Sequence, residues 1–222
     1  MIEVKNLKKT YSIDEQVLNA VDNVSFTVNE GEMVSIMGHS GSGKTTLLSL
    51  IGGLTRPDSG VVLIDQENIW SMTDSGLAEF RNRKMNFIYQ FSSLIPTLTS
   101  FENILLPTAF GKYTADMEKH AGELLEIVGL KEKMNSFPSH LSGGQQRRVA
   151  IARAFVNRPS VILADEPTGD LDEETESEVL ELFSRINREE KTTFIMVTHN
   201  KDIAARAQRQ FKMSNGVLNE IS

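Results

Sequence analysis

The sequence has 222 residues, of which 40% are hydrophobic and 24% charged, values typical of a globular domain with a sizeable core. Its formal net charge of −7 argues against broad, nonspecific binding to nucleic acid, and the absence of cysteine excludes disulfides and thiolate metal sites. No apolar run approaches the roughly 20 residues of a membrane-spanning helix, and the N-terminus has no signal-peptide pattern, so we expect a cytoplasmic protein.

The N-terminal part of the chain is predicted to form β strands. Residues 2–4 and 24–28 alternate apolar and polar side chains, which is the period of a half-buried strand. A turn at residues 56–60 precedes a further apolar strand at 61–64. We therefore expect an N-terminal antiparallel β layer beside the main sheet of the protein.

A glycine-rich loop lies between an apolar strand, 33–37, and a helix, 46–51. It fits the phosphate-loop pattern G-x-x-x-x-G-K-[S/T], and this order directs backbone N–H groups and the positive end of a helix at one point. Lys44 is predicted to reach the β- and γ-phosphates, and the Thr45 hydroxyl to hold Mg²⁺. The alternative, a Gly- and Ser-rich surface loop, does not explain the flanking strand and helix. The nucleotide-binding residues predicted here are Gly38, His39, Ser40, Gly41, Ser42, Gly43, Lys44, Thr45 and Thr46.

The pattern becomes helical after residue 96. Apolar residues of the segment 117–128 recur at helical spacing, which indicates one face of an amphipathic helix. We interpret residues 96–136 as a helical subdomain inserted into a single domain, 1–222, whose nucleotide-binding core consists of residues 1–95 and 137–222.

The C-terminal half alternates helices with buried strands. Ser142 opens a helix that extends to about residue 157, and a helix is predicted over 173–188. Buried strands are predicted at 161–164 and 192–197, because both runs are apolar and short. The alternation indicates an α/β fold with a mostly parallel sheet.

Two adjacent carboxylates, Asp165 and Glu166, follow the first of these buried strands. With a phosphate loop upstream, Asp165 is placed to contact Mg²⁺ through its water shell, and Glu166 to polarise an attacking water as general base. The alternative is a carboxylate pair that caps the next helix. His199 ends the neighbouring strand, where ligands bind in open α/β sheets, and we predict a γ-phosphate sensor rather than a purely structural histidine.

The segment Leu-Ser-Gly-Gly-Gln-Gln at 141–146 closely resembles the signature sequence of ABC ATPases. Ser142 would cap a helix whose free N–H groups, together with two glycines, present a second anion site. Considered alone, the segment fits an ordinary capped helix equally well, but its position between the phosphate loop and Asp165-Glu166 favours the signature. The residues assigned to it are Ser142, Gly143, Gly144 and Gln145.

The resemblance to ABC ATPases covers nearly the whole chain and implies further roles. Gln90 resembles the glutamine that links the Mg²⁺ site to the helical subdomain, and 169–172 resembles the loop that crosses to a partner protomer. His199 resembles the switch histidine. Tyr11 resembles the aromatic residue that stacks on adenine, with an ordinary half-buried strand tyrosine as the alternative. Residues 94–96, 102–104 and 164–169 most resemble the lipoprotein-release, macrolide-export and cell-division branch.

The resemblance also implies a mechanism. Two copies of the chain would form a head-to-tail dimer with two ATP and Mg²⁺ at its interface, and integral membrane permease subunits would hold it peripherally on the inner face of the cell membrane. A soluble ABC-type ATPase acting on nucleic acid or ribosomes is the alternative. Those relatives usually have a long coiled coil, a zinc module or two cassettes, none of which this sequence has, so no nucleic-acid partner is expected. A phosphate-loop kinase would have no use for the signature.

Overall fold

The computed structural model describes residues 1–13, 16–111, 114–169 and 171–221. Asp170, in the predicted crossing loop, lies outside the described residues. Within the described ranges, the main sheet has six strands in the order β10-β9-β3-β8-β7-β6, and all its pairs are parallel except β9 with β10. Its strands are β3 (Met33–Met37), β6 (Met85–Ile88), β7 (Val161–Asp165), β8 (Thr193–Thr198), β9 (Arg209–Ser214) and β10 (Val217–Glu220). The predicted, mostly parallel sheet is thus confirmed.

A second, antiparallel sheet is built from the N-terminal part of the chain. Its four strands pair in the order β2-β1-β4-β5. They are β1 (Ile2–Ile13), β2 (Gln16–Val28), β4 (Ser59–Ile64) and β5 (Glu67–Asn68). This confirms the predicted β layer, in which β1 and β2 are longer than the alternating runs that identified them.

The strands of the main sheet carry apolar side chains on both faces, and each face belongs to a different core. Phe194 and Met196 of β8 pack with the helices of the chain's second half, whereas Ile195 and Val197 pack with the antiparallel layer and the helix after β3. Successive side chains of a strand point to opposite faces, so a strand between two covered faces is a continuous apolar run. This explains why the predicted buried strands show no alternation.

Seven α-helices occur in the described residues. They are α1 (Lys44–Ile51), α2 (Asp74–Lys84), α3 (Ser100–Leu105), α4 (Ala115–Ile127), α5 (Gly143–Phe155), α6 (Glu173–Glu190) and α7 (Lys201–Ala204). The amphipathic face of α4 is buried as predicted, as is that of α6. The predicted insert supplies α3 and α4, and both pack against α5. The limits 96–136 of the helical subdomain stay a prediction, because α5, which packs with α3 and α4, lies outside them. In the described part of the chain, no helix combines the length and apolarity needed to cross a membrane.

Candidate nucleotide-binding site

One edge of the main sheet brings the predicted catalytic loops together. Met37 of β3 is the register partner of Thr198 in β8, and Asp165 of β7 is the partner of Val197. The loops that follow these three strands therefore emerge side by side. They border a cavity of about 520 Å³. Its lining consists of Tyr11, Leu18, Ala20, Gly38, His39, Ser40, Gly41, Gly43, Lys44, Thr45, Thr46, Gln90, Asp165, Glu166 and His199.

The glycine-rich loop has little room for side chains at two of its glycines. Gly43 has a φ of 105°, and a Cβ there would lie 1.9 Å from the carbonyl oxygen of Ala20 in β2. A Cβ at Gly38 would lie 2.4 Å from the carbonyl oxygen of Met213 in β9. The hairpin between β9 and β10 also braces the loop, since the N–H of Gly216 donates to the Ser42 carbonyl at 3.1 Å. Both sheets therefore hold the loop in shape.

Lys44 lies inside this loop at the start of α1. Its Nζ donates to the carbonyl oxygens of Gly38 at 2.8 Å and His39 at 3.0 Å. The ammonium group is thus held beside the backbone N–H groups of the loop and the positive end of α1. A cation, free N–H groups and a helix N-terminus together form an anion site, and the phosphates of a nucleotide fit it.

The two predicted metal ligands from opposite loops are in direct contact. The Thr45 hydroxyl donates to Asp165 Oδ2 at 2.8 Å. Gln90 lines the same cavity. Hydroxyl, carboxylate and amide oxygens are the hard ligands that Mg²⁺ prefers, and Mg²⁺ usually takes one or two such side chains together with the phosphates of its substrate. The donor set therefore fits a magnesium ion bound with a nucleotide.

Glu166 is held at both carboxylate oxygens. Oε1 lies 2.9 Å from Nδ1 of His199, and Oε2 accepts from the Thr198 hydroxyl at 3.2 Å. The Glu166 side chain is only 17% exposed, whereas His199 is 77% exposed and open to a ligand. A carboxylate held in this way at the cavity wall can accept a proton from a water that attacks a phosphate.

Tyr11, on β1, also lines the cavity. The preceding residue is fixed by Asp58, whose Oδ2 accepts from the Thr10 N–H at 2.6 Å and the Thr10 hydroxyl at 2.7 Å. These bonds and Lys9 lower the pKa of Asp58 to about 2. Tyr11 is 39% exposed, so its ring is available to a flat ligand group.

The signature segment stands apart from the cavity. Ser142 caps α5 in a capping box: its hydroxyl accepts from the Gln145 N–H at 3.2 Å, and Gln145 Oε1 accepts from the Ser142 N–H at 3.0 Å. The helix start predicted from the sequence is thus confirmed. However, Ser142, Gly143, Gly144 and Gln145 do not line the cavity. The other predicted residues do line it, except Ser42, which is buried within the glycine-rich loop. Ser142 and Gly143 are exposed, and the free end of α5 faces solvent.

Two residues at the site were missed by the sequence analysis. The sequence pattern indicated no role for Thr198, whose hydroxyl donates to Glu166. It indicated no role for Arg147 either, although this side chain donates to the carbonyl oxygens of Glu166 and Pro167. A buried arginine is rarely incidental, but no sequence pattern tells which groups it reaches.

Asp165→Asn is expected to raise the melting temperature of the nucleotide-free protein at neutral pH. The pKa of Asp165 is raised, chiefly by burial and further by the nearby Glu166 carboxylate. The hydrogen bond from Thr45 and the charge of Lys44 lower it only in part. A pKa raised by folding means that the folded state loses stability as pH rises through that value, so at neutral pH the ionised carboxylate is a net cost. Asparagine removes the charge and can still accept from Thr45.

The measurement is thermal unfolding of both proteins across a pH series. We expect the advantage of the variant to shrink as the pH falls into the carboxyl range, because Asp165 is then protonated in the wild type. Mg²⁺ and ATP should stabilise the wild type more than the variant. Equal melting at neutral pH would show that Asp165 is not under electrostatic strain.

Comparisons with known proteins identify relatives that bind nucleotides. The family model described as ABC transporter matches residues 21–169. The chain is 44% identical over 227 residues to the lipoprotein-releasing system ATP-binding protein LolD 2 of Chlorobium chlorochromatii (strain CaD3), over 99% of this chain and 94% of the relative.

Solved structures extend the similarity to the fold. A dimer of the ATP-binding cassette MJ0796 in a post-hydrolysis state, bound to ADP and Pi, has a TM-score of 0.93 and 40% identity, over 100% of this chain and 98% of that one. A dimeric structure of MJ0796, described as a bacterial ABC transporter cassette, gives a TM-score of 0.93 with 41% identity and the same coverage. For cbiO1 of Clostridium perfringens, part of the ABC transporter complex cbiONQ, the TM-score is 0.86 at 27% identity, over 98% and 86% of the two chains. The fold class predicted from the sequence is confirmed.

Proposed function

Since this chain belongs to the ABC transporter family and is one of its nucleotide-binding ATPases, we propose that it is the motor subunit of a membrane transport complex. Two copies would pair in an ATP-dependent manner and drive separate permease subunits. The observation that carries the proposal is the separation of the signature segment from the cavity. Apart from Ser42, which is buried within the glycine-rich loop, the other predicted residues all line one cavity, whereas Ser142 lies on an exposed helix start.

A second copy of the chain supplies the missing part of the site. In a two-fold, head-to-tail pair, Ser142 and Gly144 of each protomer would reach the γ-phosphate held by the other, and two equal sites would form. The MJ0796 cassettes, which match this chain at a TM-score of 0.93, are dimers. ATP would close the pair, and loss of the γ-phosphate contacts on hydrolysis would release it.

Within each site, the contacts support the following roles. Lys44 and the loop N–H groups bind the phosphates, and Tyr11 stacks on the adenine. Thr45, Gln90 and Asp165 would hold Mg²⁺, which when bound neutralises charge on the phosphates. Glu166 accepts the proton of the attacking water, with its carboxylate oriented by Thr198. His199, in contact with Glu166 and largely exposed, senses the γ-phosphate.

The permease would bind beside Gln90. The segment 89–95 exposes three apolar side chains, Tyr89 at 46%, Phe91 at 72% and Ile95 at 40%. The segment is tied down by Arg153 of α5, which donates to the carbonyl oxygens of Ser92 and Ser93 at 2.9 Å each. An exposed apolar surface on a fixed segment is typical of a protein interface. Since Gln90 lines the cavity, movement of a bound permease would be transmitted to the nucleotide.

The place of action follows from the partner. We propose that the chain lies in the cytoplasm, peripherally on the inner face of the membrane, through its permease. The identity to a lipoprotein-releasing ATP-binding protein favours the release and export branch of the family.

Co-purification from native membranes tests this function. The tagged chain is solubilised in mild detergent, and the proteins that remain bound are identified. A stoichiometric integral membrane protein supports the motor role. Recovery of only ribosomes, nucleic acid or soluble proteins would leave the ATPase chemistry in place and contradict the transport role.

Phe91→Asp is expected to abolish recovery of the permease and to leave the basal ATPase activity of the isolated chain within about twofold. A carboxylate cannot be buried in an apolar interface without a partner, whereas the side chain of Phe91 is exposed in the free chain and does not line the cavity. Phe91→Leu, which stays apolar, should retain the permease. Full recovery with the aspartate variant would place the interface elsewhere.

A further inference from the structure

Arg147 is a buried cation on α5 that binds main-chain carbonyl groups. Arg147 is only 3% exposed to solvent. Nε donates to the Pro167 carbonyl at 2.8 Å, Nη2 to the Glu166 carbonyl at 2.9 Å, and Nη1 to the Tyr89 carbonyl. A buried guanidinium is stable only when its donors are satisfied, and its planar fork fixes the relative positions of the groups it binds. One side chain thus ties together α5, the loop after β7 and the segment after β6.

One residue that Arg147 contacts in the loop after β7, Glu166, has a strained backbone. Glu166 has a φ of 46°, in the left-handed region that residues with a Cβ rarely adopt. Its N–H donates to the Val197 carbonyl at 2.9 Å, and its carbonyl accepts from Arg147 and from the Gly169 N–H at 3.1 Å. Such a conformation persists where surrounding contacts determine it. It turns the side chain toward Thr198 and His199, so Arg147 helps to set where the carboxylate points.

The contact with Tyr89 reaches the other side of the site. Tyr89 directly precedes Gln90, which lines the cavity, and its exposed ring stacks on Phe87 with the centroids 5.4 Å apart. A displacement of this segment changes the position of the Tyr89 carbonyl. Because the guanidinium is planar and rigid, the displacement is passed to the carbonyls of Glu166 and Pro167.

We propose that Arg147 is a positioning residue that sets the backbone of Glu166 and makes hydrolysis depend on the conformation of the Tyr89–Gln90 segment. The inference rests on the proposed role of Glu166 as the base. Arg147 does not line the cavity, so it acts on the rate of hydrolysis rather than on ATP binding.

The test separates turnover from binding in Arg147→Gln and Arg147→Lys. We expect kcat to fall between about tenfold and a hundredfold in the glutamine variant, as for a small misplacement of a catalytic group, with the Kd for ATP within about twofold. Lysine keeps the charge and part of the donor set, so its kcat should lie between those of the wild type and the glutamine variant. Thermal unfolding identifies any variant that does not fold, and the lysine variant then decides the outcome.

Arg148→Gln is the matched control. Arg148 lies on the same helix and donates to the Val128 carbonyl and to Glu178 at 3.3 Å each, contacts that involve neither the Glu166 loop nor the Tyr89–Gln90 segment. We expect its kcat to stay near that of the wild type. Equal losses in both arginine variants, unchanged kcat in a folded Arg147 variant, or a loss confined to Kd would each overturn the inference.

A Glu166→Gln variant measured in parallel keeps the two proposals apart. If it is inactive while the Arg147 variants are fully active, the inference about Arg147 fails and the role of Glu166 stands. If it hydrolyses ATP normally, the role of Glu166 itself fails.

Discussion

Glu166→Gln is expected to lower ATP turnover by about two to four orders of magnitude and to leave ATP binding intact. The amide has the shape of the carboxylate and can keep a bond to Thr198, so the loop should remain in place. It cannot accept a proton from water, so the hydrolysis step loses its base. The measurements are steady-state phosphate release and ATP affinity by calorimetric titration.

The same variant should accumulate as an ATP-bound dimer. If γ-phosphate contacts close the pair and hydrolysis opens it, a variant that binds but does not hydrolyse stays closed. Size-exclusion chromatography with ATP and Mg²⁺ should then show twice the mass seen without nucleotide. A variant that is inactive and yet monomeric with ATP would argue against the proposed pairing.

Glu102→Gln is the control for this substitution. Glu102 accepts from the Thr99 N–H at 2.8 Å in a capping box at the start of α3, a position where glutamine serves equally well. It does not line the cavity. Its turnover should match the wild type, and near-normal turnover of Glu166→Gln itself would exclude Glu166 as the base.

The sequence predicted those parts of the fold and the site that depend on local order. The phosphate loop is continuous in the chain and is flanked by a strand and a helix, and both short apolar strands of the second half were identified within two residues of their ends. Parallel strands place their carboxyl ends at one edge of the sheet, so the meeting of the three loops also followed from the pattern.

Other parts depend on distances that the sequence does not contain. The sequence pattern did not predict helix α2, because only Leu77 and Phe80 of its eleven residues are buried and no clear apolar face results. Arg147 precedes Glu166 by 19 positions, and only the packing of α5 against the sheet brings its guanidinium to the Glu166 carbonyl. The extent of the helical subdomain depends in the same way on packing, since α5 follows the predicted insert and joins its helices.

Lys44→Ala is expected to weaken ATP binding by about 1.5–3 kcal/mol, the usual range for a charged hydrogen bond, which corresponds to roughly ten- to over a hundredfold in Kd. The ammonium group lies 2.8 Å from the Gly38 carbonyl and 3.0 Å from the His39 carbonyl, within the loop that would enclose the phosphates. Its removal takes away the positive charge nearest to them. Calorimetric titration with ATP measures the loss.

Lys131→Ala is a suitable control, because Lys131 pairs with Glu126 at 3.1 Å on the surface, where an ion pair contributes little. Equal ATP affinity in the wild type and Lys44→Ala would contradict the phosphate-loop assignment. The comparison with Glu166→Gln is the stronger argument, because both side chains line the same cavity. We expect Lys44→Ala to lose ATP binding and Glu166→Gln to lose hydrolysis alone. This pair of results would assign binding to one side of the site and chemistry to the other. A general disturbance of the fold would not separate the two effects in this way.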